Sequence, residues 1–300
     1  MVFGRLTRRE MMAHSARLAA AGLALKAAFA DSPLTGSRLA LAQALGFKIG
    51  ACDWTLGKRT DPSALEVAKK LGLDGIQVDL GSPEDNLPLR KPEVQQKYMQ
   101  VRKETGIAIS SLAIGALNDV PLKSDPRAAQ WVSDSVDICK VFGVNVVLIA
   151  FFSKGDLRGD KPGTEVVIER LKEVAPKAEK AGVTLGVESW LSAEQHMQIL
   201  DAVGSPAVQV YYDVGNSQKR GYDIFKEIRF LGKHICEFHA KDNDDLYGKG
   251  TMNFADVRRA MDDIGYRGWM QIEGTELPLG PEESVRYDLE YLRGIFPPQV

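Results

Sequence analysis

The sequence predicts an α/β fold, a single (β/α)8 TIM barrel preceded by an N-terminal export signal. Three observations carry this reading. From residue 47 onward, short runs rich in Val and Ile alternate eight times with amphipathic stretches of helical length. The runs begin about every 32 residues, a regular βα period. No G-x-G-x-x-G follows the first run, which removes the usual dinucleotide-binding open sheet. With 44% hydrophobic and 26% charged residues among 300, the chain can also build one large core.

The strands are expected at 47–56, 75–80, 107–114, 144–152, 183–190, 208–214, 235–240 and 268–273. Each is nearly continuous in apolar residues, as parallel strands buried on both faces should be. The helices are expected at 62–71, 92–104, 127–142, 165–181, 193–203, 224–231, 254–264 and 283–295. Asp61-Pro62, Ser192 and Asn253 supply start signals, and glycines at 72, 106, 143, 182, 204, 232 and 265 supply stops. No linker interrupts 47–297, so that span reads as one domain.

Residues 1–30 have the order of an export signal. Arg5, Arg8 and Arg9 form a basic start, and Thr7-Arg8-Arg9-Glu10-Met11-Met12 resembles a twin-arginine motif. An Ala/Gly/Leu stretch follows, and Ala28-Phe29-Ala30 before Asp31 fits a small-x-small cleavage site. The alternative is an Ala-rich amphipathic helix, since Arg17 and Lys26 interrupt the apolar run. Residues 31–46 read as a lead-in. Removing 1–30 takes five basic residues and one acid, moving the formal charge from −2 to −6. An acidic chain has no field to hold nucleic acid, and no 18-residue apolar run exists to span a membrane. The expected location is periplasmic. Cys52, Cys139 and Cys236 have no metal-ligand spacing and read as small buried hydrophobes.

A barrel carries its active site at the C-terminal ends of its strands. The fifth to eighth strands end in Glu188, Asp213, His239 and Glu273. Three carboxylates and one imidazole at one barrel mouth suit a single Mn2+, Mg2+, Co2+ or Zn2+. Without a cation the acids would repel one another, unless a basic side chain such as Lys241 neutralised them.

The motifs Gly186-Val187-Glu188, Tyr212-Asp213-Val214-Gly215-Asn216, His239-Ala240-Lys241-Asp242 and Gln271-Ile272-Glu273 resemble those of the xylose isomerase-like TIM barrel superfamily. The resemblance covers about 47–297 and lies in the sugar phosphate isomerase/epimerase branch. That branch includes ketose 3-epimerases, hydroxypyruvate isomerase and inosose dehydratase. The resemblance implies Glu188, Asp213, His239 and Glu273 as ligands of one divalent metal ion. It also implies Glu188 and Glu273 as the acid/base pair of a sugar isomerase or epimerase. One glutamate takes the proton α to a carbonyl and the other returns it, through an ene-diolate.

Two positions depart from the ketose epimerase pattern: Asn216 stands where it has a second His, and Asp245 where it has an Arg. His-x-Lys-Asp at 239–242 is closer to inosose dehydratase-like members. Lys241 is therefore a further acid/base candidate, the alternative being a salt bridge to Asp242 or Asp213. A dehydratase or lyase acting on an inosose or 3-keto-glycoside is the alternative chemistry. A non-catalytic carbohydrate-binding barrel is a third reading. Trp54, Asp79, Trp190, Asn216 and Asp242 are the candidates for substrate contact. Trp54 and Trp190 would serve as apolar walls unless they only fill space, and Asp79 unless it caps its own loop. Loops at 153–163 and 248–250 are candidate lids. The partner expected is a small sugar or sugar-derived molecule; a homo-oligomer stays open.

Overall fold

The computed structural model describes residues 46–242, 245–274 and 277–298. The expected signal at 1–30 and nearly all of the lead-in lie outside the described residues. Phe47–Pro298 forms one compact unit. Its strands are β1 (Lys48–Cys52), β2 (Gly75–Asp79), β3 (Ala108–Ile114), β4 (Val146–Phe151), β5 (Thr184–Ser189), β6 (Val208–Asp213), β7 (Ile235–Ala240) and β8 (Trp269–Ile272). Every strand is parallel to its neighbours, and β1 pairs with β8 to close the barrel. The helices are α1 (Ala64–Leu71), α2 (Pro92–Thr105), α3 (Pro126–Phe142), α4 (Lys161–Ala181), α5 (Ala193–Val203), α6 (Val214–Lys219), α7 (Ile224–Leu231), α8 (Phe254–Asp263) and α9 (Pro281–Ile295). None of the described helices is long and apolar enough to cross a membrane.

The period-2 alternation of each strand divides its residues between two environments. Ile49, Ile76, Val78, Val147, Ile149, Leu185, Val187, Phe238 and Ile272 join the large core under the helices. The opposite faces fill the lumen, and only part of that filling is apolar. Ala113, Val146, Leu148, Ala150 and Tyr211 make a small cluster of their own. The remainder is polar: Gln77, Ser111, Glu237, His239 and Gln271 are all buried. Gln77 on β2 bonds Tyr211 on β6 at 3.0 Å. Those strands are not neighbours, so the contact runs across the lumen.

Two boundaries differ from the pattern in the sequence by four residues, and one helix is additional to it. β1 stops at Cys52 rather than at residue 56, because the chain turns there. Thr55 and Leu56 both donate their N–H to Cys52 O, and the Asp53 carboxylate holds the turn by accepting from Thr60 N and Asp79 N. α4 starts at Lys161, four residues early, because Asp160 caps it by accepting from Gly163 N at 2.9 Å. This shortens the charged segment expected at 153–163, where a 3-10 turn at Ser153–Gly155 also forms. The helix α6 has no counterpart in the hydrophobic pattern. Asp213, the last residue of β6, starts it directly by accepting from Asn216 N.

Close packing inside the lumen makes a glycine necessary on β1. A Cβ at Gly50 would lie 2.9 Å from Gly75 O and press on the Gln271 amide. Gly50→Ala is therefore expected to destabilise the barrel by about 2–3 kcal/mol, a typical overpacking cost. Urea unfolding of the purified variant against wild type measures this.

Candidate active site

Four side chains converge at the C-terminal mouth. Glu188 is the next-to-last residue of β5, Asp213 ends β6, His239 lies on β7, and Glu273 follows β8. Glu273 keeps the sheet geometry by donating its N–H to Ala240 O at 3.0 Å. One potential ligand atom from each residue lies within 4.8 Å of all the others. His239 Nδ1 stands 2.8 Å from Glu188 Oε1, 3.5 Å from Glu273 Oε2 and 4.0 Å from Asp213 Oδ2. Lys241 reaches the same point from the end of β7. Its Nζ is 2.6 Å from Glu273 Oε2 and 3.2 Å from Asp213 Oδ2.

Burial and mutual repulsion push these carboxylates apart in acidity. Glu188 is raised to about 7 by burial, with Glu273 and Asp213 adding to the effect against His239. Asp213 is raised by burial, which Lys241 only partly offsets. Glu273 goes the other way: burial favours its acid form, but Lys241 and His239 outweigh that and hold it ionised. Burial opposes a charge on Lys241, yet Asp213 and Glu273 raise its pKa. His239 is raised well above the usual imidazole value because Cys52, Glu188 and Glu273 outweigh its burial.

The donor set fits a divalent cation. Asp213 Oδ2 and Glu273 Oε2 are buried and accept no well-formed hydrogen bond, with the Lys241 ammonium beside them. Lys241 pairs with Asp213 and Glu273 and neutralises part of the charge. Four convergent ligand atoms, three of them carboxylate oxygens, are a set that a divalent cation could take. Of the salt bridges expected for Lys241, the one to Asp213 forms, and Glu273 takes the place of Asp242. The reason is geometric: β7 and β8 are neighbours, with Ala240 beside Ile272.

The chain belongs to the xylose isomerase-like TIM barrel family. The family pattern matches residues 65–295. A 2-epi-5-epi-valiolone 7-phosphate 2-epimerase from Actinoplanes is 28% identical over 177 residues. That match spans 59% of this chain and 65% of the relative, a little under two thirds of its length. An L-ribulose-5-phosphate 3-epimerase from Escherichia coli is 24% identical over 70% of this chain and 80% of its own. Among solved structures, a D-psicose 3-epimerase from Clostridium cellulolyticum has a TM-score of 0.71 at 18% identity, covering 83% of this chain and 99% of that one. A 3-keto-D-glucoside 4-epimerase from E. coli has a TM-score of 0.69 at 15% identity, with the same coverage. At these identities the structures share the fold.

The remaining candidates divide between the mouth and its supports. Trp54 sits two residues beyond β1 and donates Nε1–H to Glu273 Oε1 at 3.2 Å. Asn216, on α6, lies with Oδ1 3.5 Å from Lys241 Nζ. Asp79 accepts from Gly81 N, Gly115 N and Arg59 Nη1, so both its oxygens are engaged in shaping the loops after β2 and β3. Asp242 likewise accepts from Gly248 N and Met252 N, and the 248–250 segment folds around it. Trp190 is enclosed rather than bare. Phe152 meets it edge-on at 5.2 Å, and the guanidinium groups of Arg158 and Arg220 lie 4.8 and 5.1 Å from its ring.

Several participants escape a strand-end reading. Cys52 is no inert filler: its Sγ lies 3.4 Å from His239 Nε2. Gln77, Tyr211, Glu237 and Gln271 each stand two positions before a strand-end polar residue, so period 2 points them into the same lumen. His196 supports the turn that carries Glu188 and Trp190. Its Nδ1 pairs with Ser192 O at 3.0 Å and its Nε2 with Ser189 Oγ at 2.9 Å.

Burial lowers His196 to about 4. It is neutral when folded, whereas an unfolded His takes a proton near 6.5. Its contribution is thus complete above pH 6.5 and is lost as pH falls towards 4. Relative to His196→Gln, wild type is expected to lose about 3 kcal/mol over that window. Urea midpoints of both proteins at pH 7.5, 5.5 and 4.5 measure it, and parallel curves would refute it.

Proposed function

We propose that this protein is a sugar isomerase or epimerase that moves a proton α to a carbonyl, with Glu188 and Glu273 as its acid/base pair. One observation carries the reading: two glutamates converge on His239 Nδ1, at 2.8 and 3.5 Å, and only Glu273 is held by Lys241, so their acidities are driven in opposite directions. Lys241 keeps Glu273 ionised, the state of a base. Burial keeps a proton on Glu188 up to about 7, the state of an acid near neutral pH. The epimerase relatives support the reading, since inverting a carbon beside a carbonyl needs such a pair.

In this mechanism Glu273 takes the proton and Glu188 delivers one from the other face. Trp54 Nε1 donates to Glu273 Oε1, and Oε2 faces the Lys241 ammonium at 2.6 Å, so the carboxylate is held at both oxygens. Lys241 holds Glu273 as a carboxylate and stands close enough to steady a developing oxyanion. A divalent cation held by Glu188, Asp213, His239 and Glu273 would supply electrophilic stabilisation of that negative charge. Return of the proton to the same carbon epimerises, and return to the adjacent carbon isomerises. Expulsion of a β-oxygen instead would make the enzyme a dehydratase or lyase.

The test is deuterium wash-in by NMR, with Mn2+ or Mg2+ added and ketoses, inososes and 3-keto-glycosides as substrates. Wash-in at one carbon is expected, reduced 10²–10⁴-fold by Glu188→Gln or by Glu273→Gln, the usual worth of a general acid or base. No wash-in on any of them by a metal-loaded protein would favour a binding barrel. Lys241→Met raises the Glu273 pKa, so the acid limb of the rate profile is expected to move to higher pH. An unmoved limb would remove Lys241 from the mechanism.

Residues 1–30 fit this reading as a twin-arginine export signal, which would bring the enzyme to sugars outside the cytoplasm. The full chain is expected in the periplasmic fraction of a Gram-negative host, and Arg8→Lys with Arg9→Lys is expected to retain it in the cytoplasm. Equal cytoplasmic retention of both would discard the export reading.

A further inference from the structure

Below the carboxylate cluster, the lumen holds a chain of buried polar groups whose donor and acceptor roles are set from one end. Glu237, two residues before His239 on β7, is 1% exposed. Its Oε1 accepts from Ser111 Oγ at 2.8 Å, Tyr211 Oη at 3.0 Å and Gln271 Nε2 at 2.6 Å. A hydroxyl has one proton. Once Ser111 and Tyr211 have donated to Glu237, only their lone pairs remain for Gln77. The Gln77 amide must therefore turn its NH2 towards them, and Nε2 lies 3.1 Å from Ser111 Oγ and 3.0 Å from Tyr211 Oη. That leaves Gln77 Oε1 facing His239 Nε2 at 2.8 Å. An amide oxygen only accepts, so the proton sits on Nε2. The buried Cys52 thiol donates to the same oxygen at 3.3 Å, in keeping with an acceptor there.

We propose that Gln77 is a positioning residue that keeps a proton on His239 Nε2 and so turns Nδ1, whatever its own protonation, to the cluster, the direction of its amide being set by Glu237 through Ser111 and Tyr211. Each link leaves the next a single choice, so the carboxylate at the bottom of the lumen selects the nitrogen that serves the mouth. A flipped imidazole would lose the bond to Gln77 and present the wrong atom to Glu188, Asp213 and Glu273. Such outer partners commonly fix the ring of a metal-binding His. The inference rests on the reading of that cluster as a cation site for its effect on affinity, while the proton on Nε2 is a property of the protein alone.

The experiment uses the full chain with 15N-labelled histidine. Proton–nitrogen spectra locate the His239 ring proton, and electron paramagnetic resonance of free Mn2+ gives the affinity. Wild type is expected to show a downfield, slowly exchanging Nε2–H. Gln77→Met keeps the volume without an acceptor. It is expected to move that proton upfield, speed its exchange at least tenfold and weaken Mn2+ binding 10–100-fold. Tyr211→Phe keeps the ring and removes one acceptor of the Gln77 amide, with about a fivefold effect on exchange expected; it decides the matter if Gln77→Met does not fold. A wild-type ring protonated on Nδ1 alone would overturn the inference, as would an unchanged ring spectrum and unchanged Mn2+ affinity in the foldable variant. If wild type bound no Mn2+ but showed the expected Nε2–H, lost in the variant, the cation reading would fall and the positioning role would stand.

Discussion

Three carboxylates forced into a buried space 4.8 Å across are the constraint on which the mouth of this barrel depends. At an effective dielectric of about 20, two charges 4 Å apart repel by about 4 kcal/mol. Such a group cannot be left as three bare anions. The protein answers with Lys241 bridging Asp213 and Glu273, with a proton retained on Glu188, and with His239 wedged between the acids. Each answer leaves a mark on the chemistry. The ammonium holds Glu273 ionised, and the burial it does not relieve raises Glu188. The difference in acidity between two chemically identical side chains follows from which of them Lys241 reaches.

The lumen beneath carries the cost of that arrangement. A barrel interior is usually closed by branched apolar residues in layers. Here β4 supplies such filling with Val146, Leu148 and Ala150, and the side of the lumen lined by β2, β3, β6, β7 and β8 is polar. Glu237 is raised by burial, and bonds from Gln271, Ser111 and Tyr211 work against that shift. A buried network of this kind is stable only when its members find partners. Gln271 Oε1 is the one exception in that group, left without a partner beside Gly50. Two strand irregularities, after Ile76 and after Val210, lie immediately before Gln77 and Tyr211. They adjust the register at the two residues that meet across the lumen.

The barrel was legible in the sequence because its signals are local and repeated. An apolar strand, a glycine after seven of the helices and a βα period need no knowledge of what lies across the lumen. Glu188, Asp213, His239 and Glu273 were legible for the same reason, each interrupting an apolar run at its C-terminal end. Pairings between strands were not. That Lys241 meets Glu273 depends on β7 lying beside β8. That Gln77 meets His239 depends on two residues 162 positions apart facing one another across a closed cylinder. Asp79 and Asp242 resemble site residues by position, yet their oxygens are taken up by backbone N–H groups of their loops, competition that sequence spacing does not reveal. The helix after β6 escaped because six residues starting on a strand-end Asp leave no room for an amphipathic period.

The same geometry explains why a shared floor does not by itself name a substrate. The similar proteins carry the names of epimerases acting at different carbons of different molecules, on one shared fold. What decides the carbon is how the rest of the molecule lies in the mouth. In this chain that rim is built from two tryptophans in different states. Trp54 is tied to Glu273 and stands with its ring at 78° to His239, with the Arg59 guanidinium 5.6 Å from its centroid. Trp190 is clasped by Arg158, Arg220 and Phe152, and its backbone carbonyl accepts from Tyr222. A sugar ring would therefore meet guanidinium edges at least as much as bare indole faces. Arg158 is already paired with Asp156 at 2.7 Å, which leaves it more useful as a rigid wall than as a free charge. Arg59 is tied in the same way, with Nη1 3.2 Å from Asp79 Oδ2, while Arg220 stacks on Trp190. Under the proposed reaction, changes at this rim would alter how a sugar lies in the mouth while leaving Glu188 and Glu273 where they are.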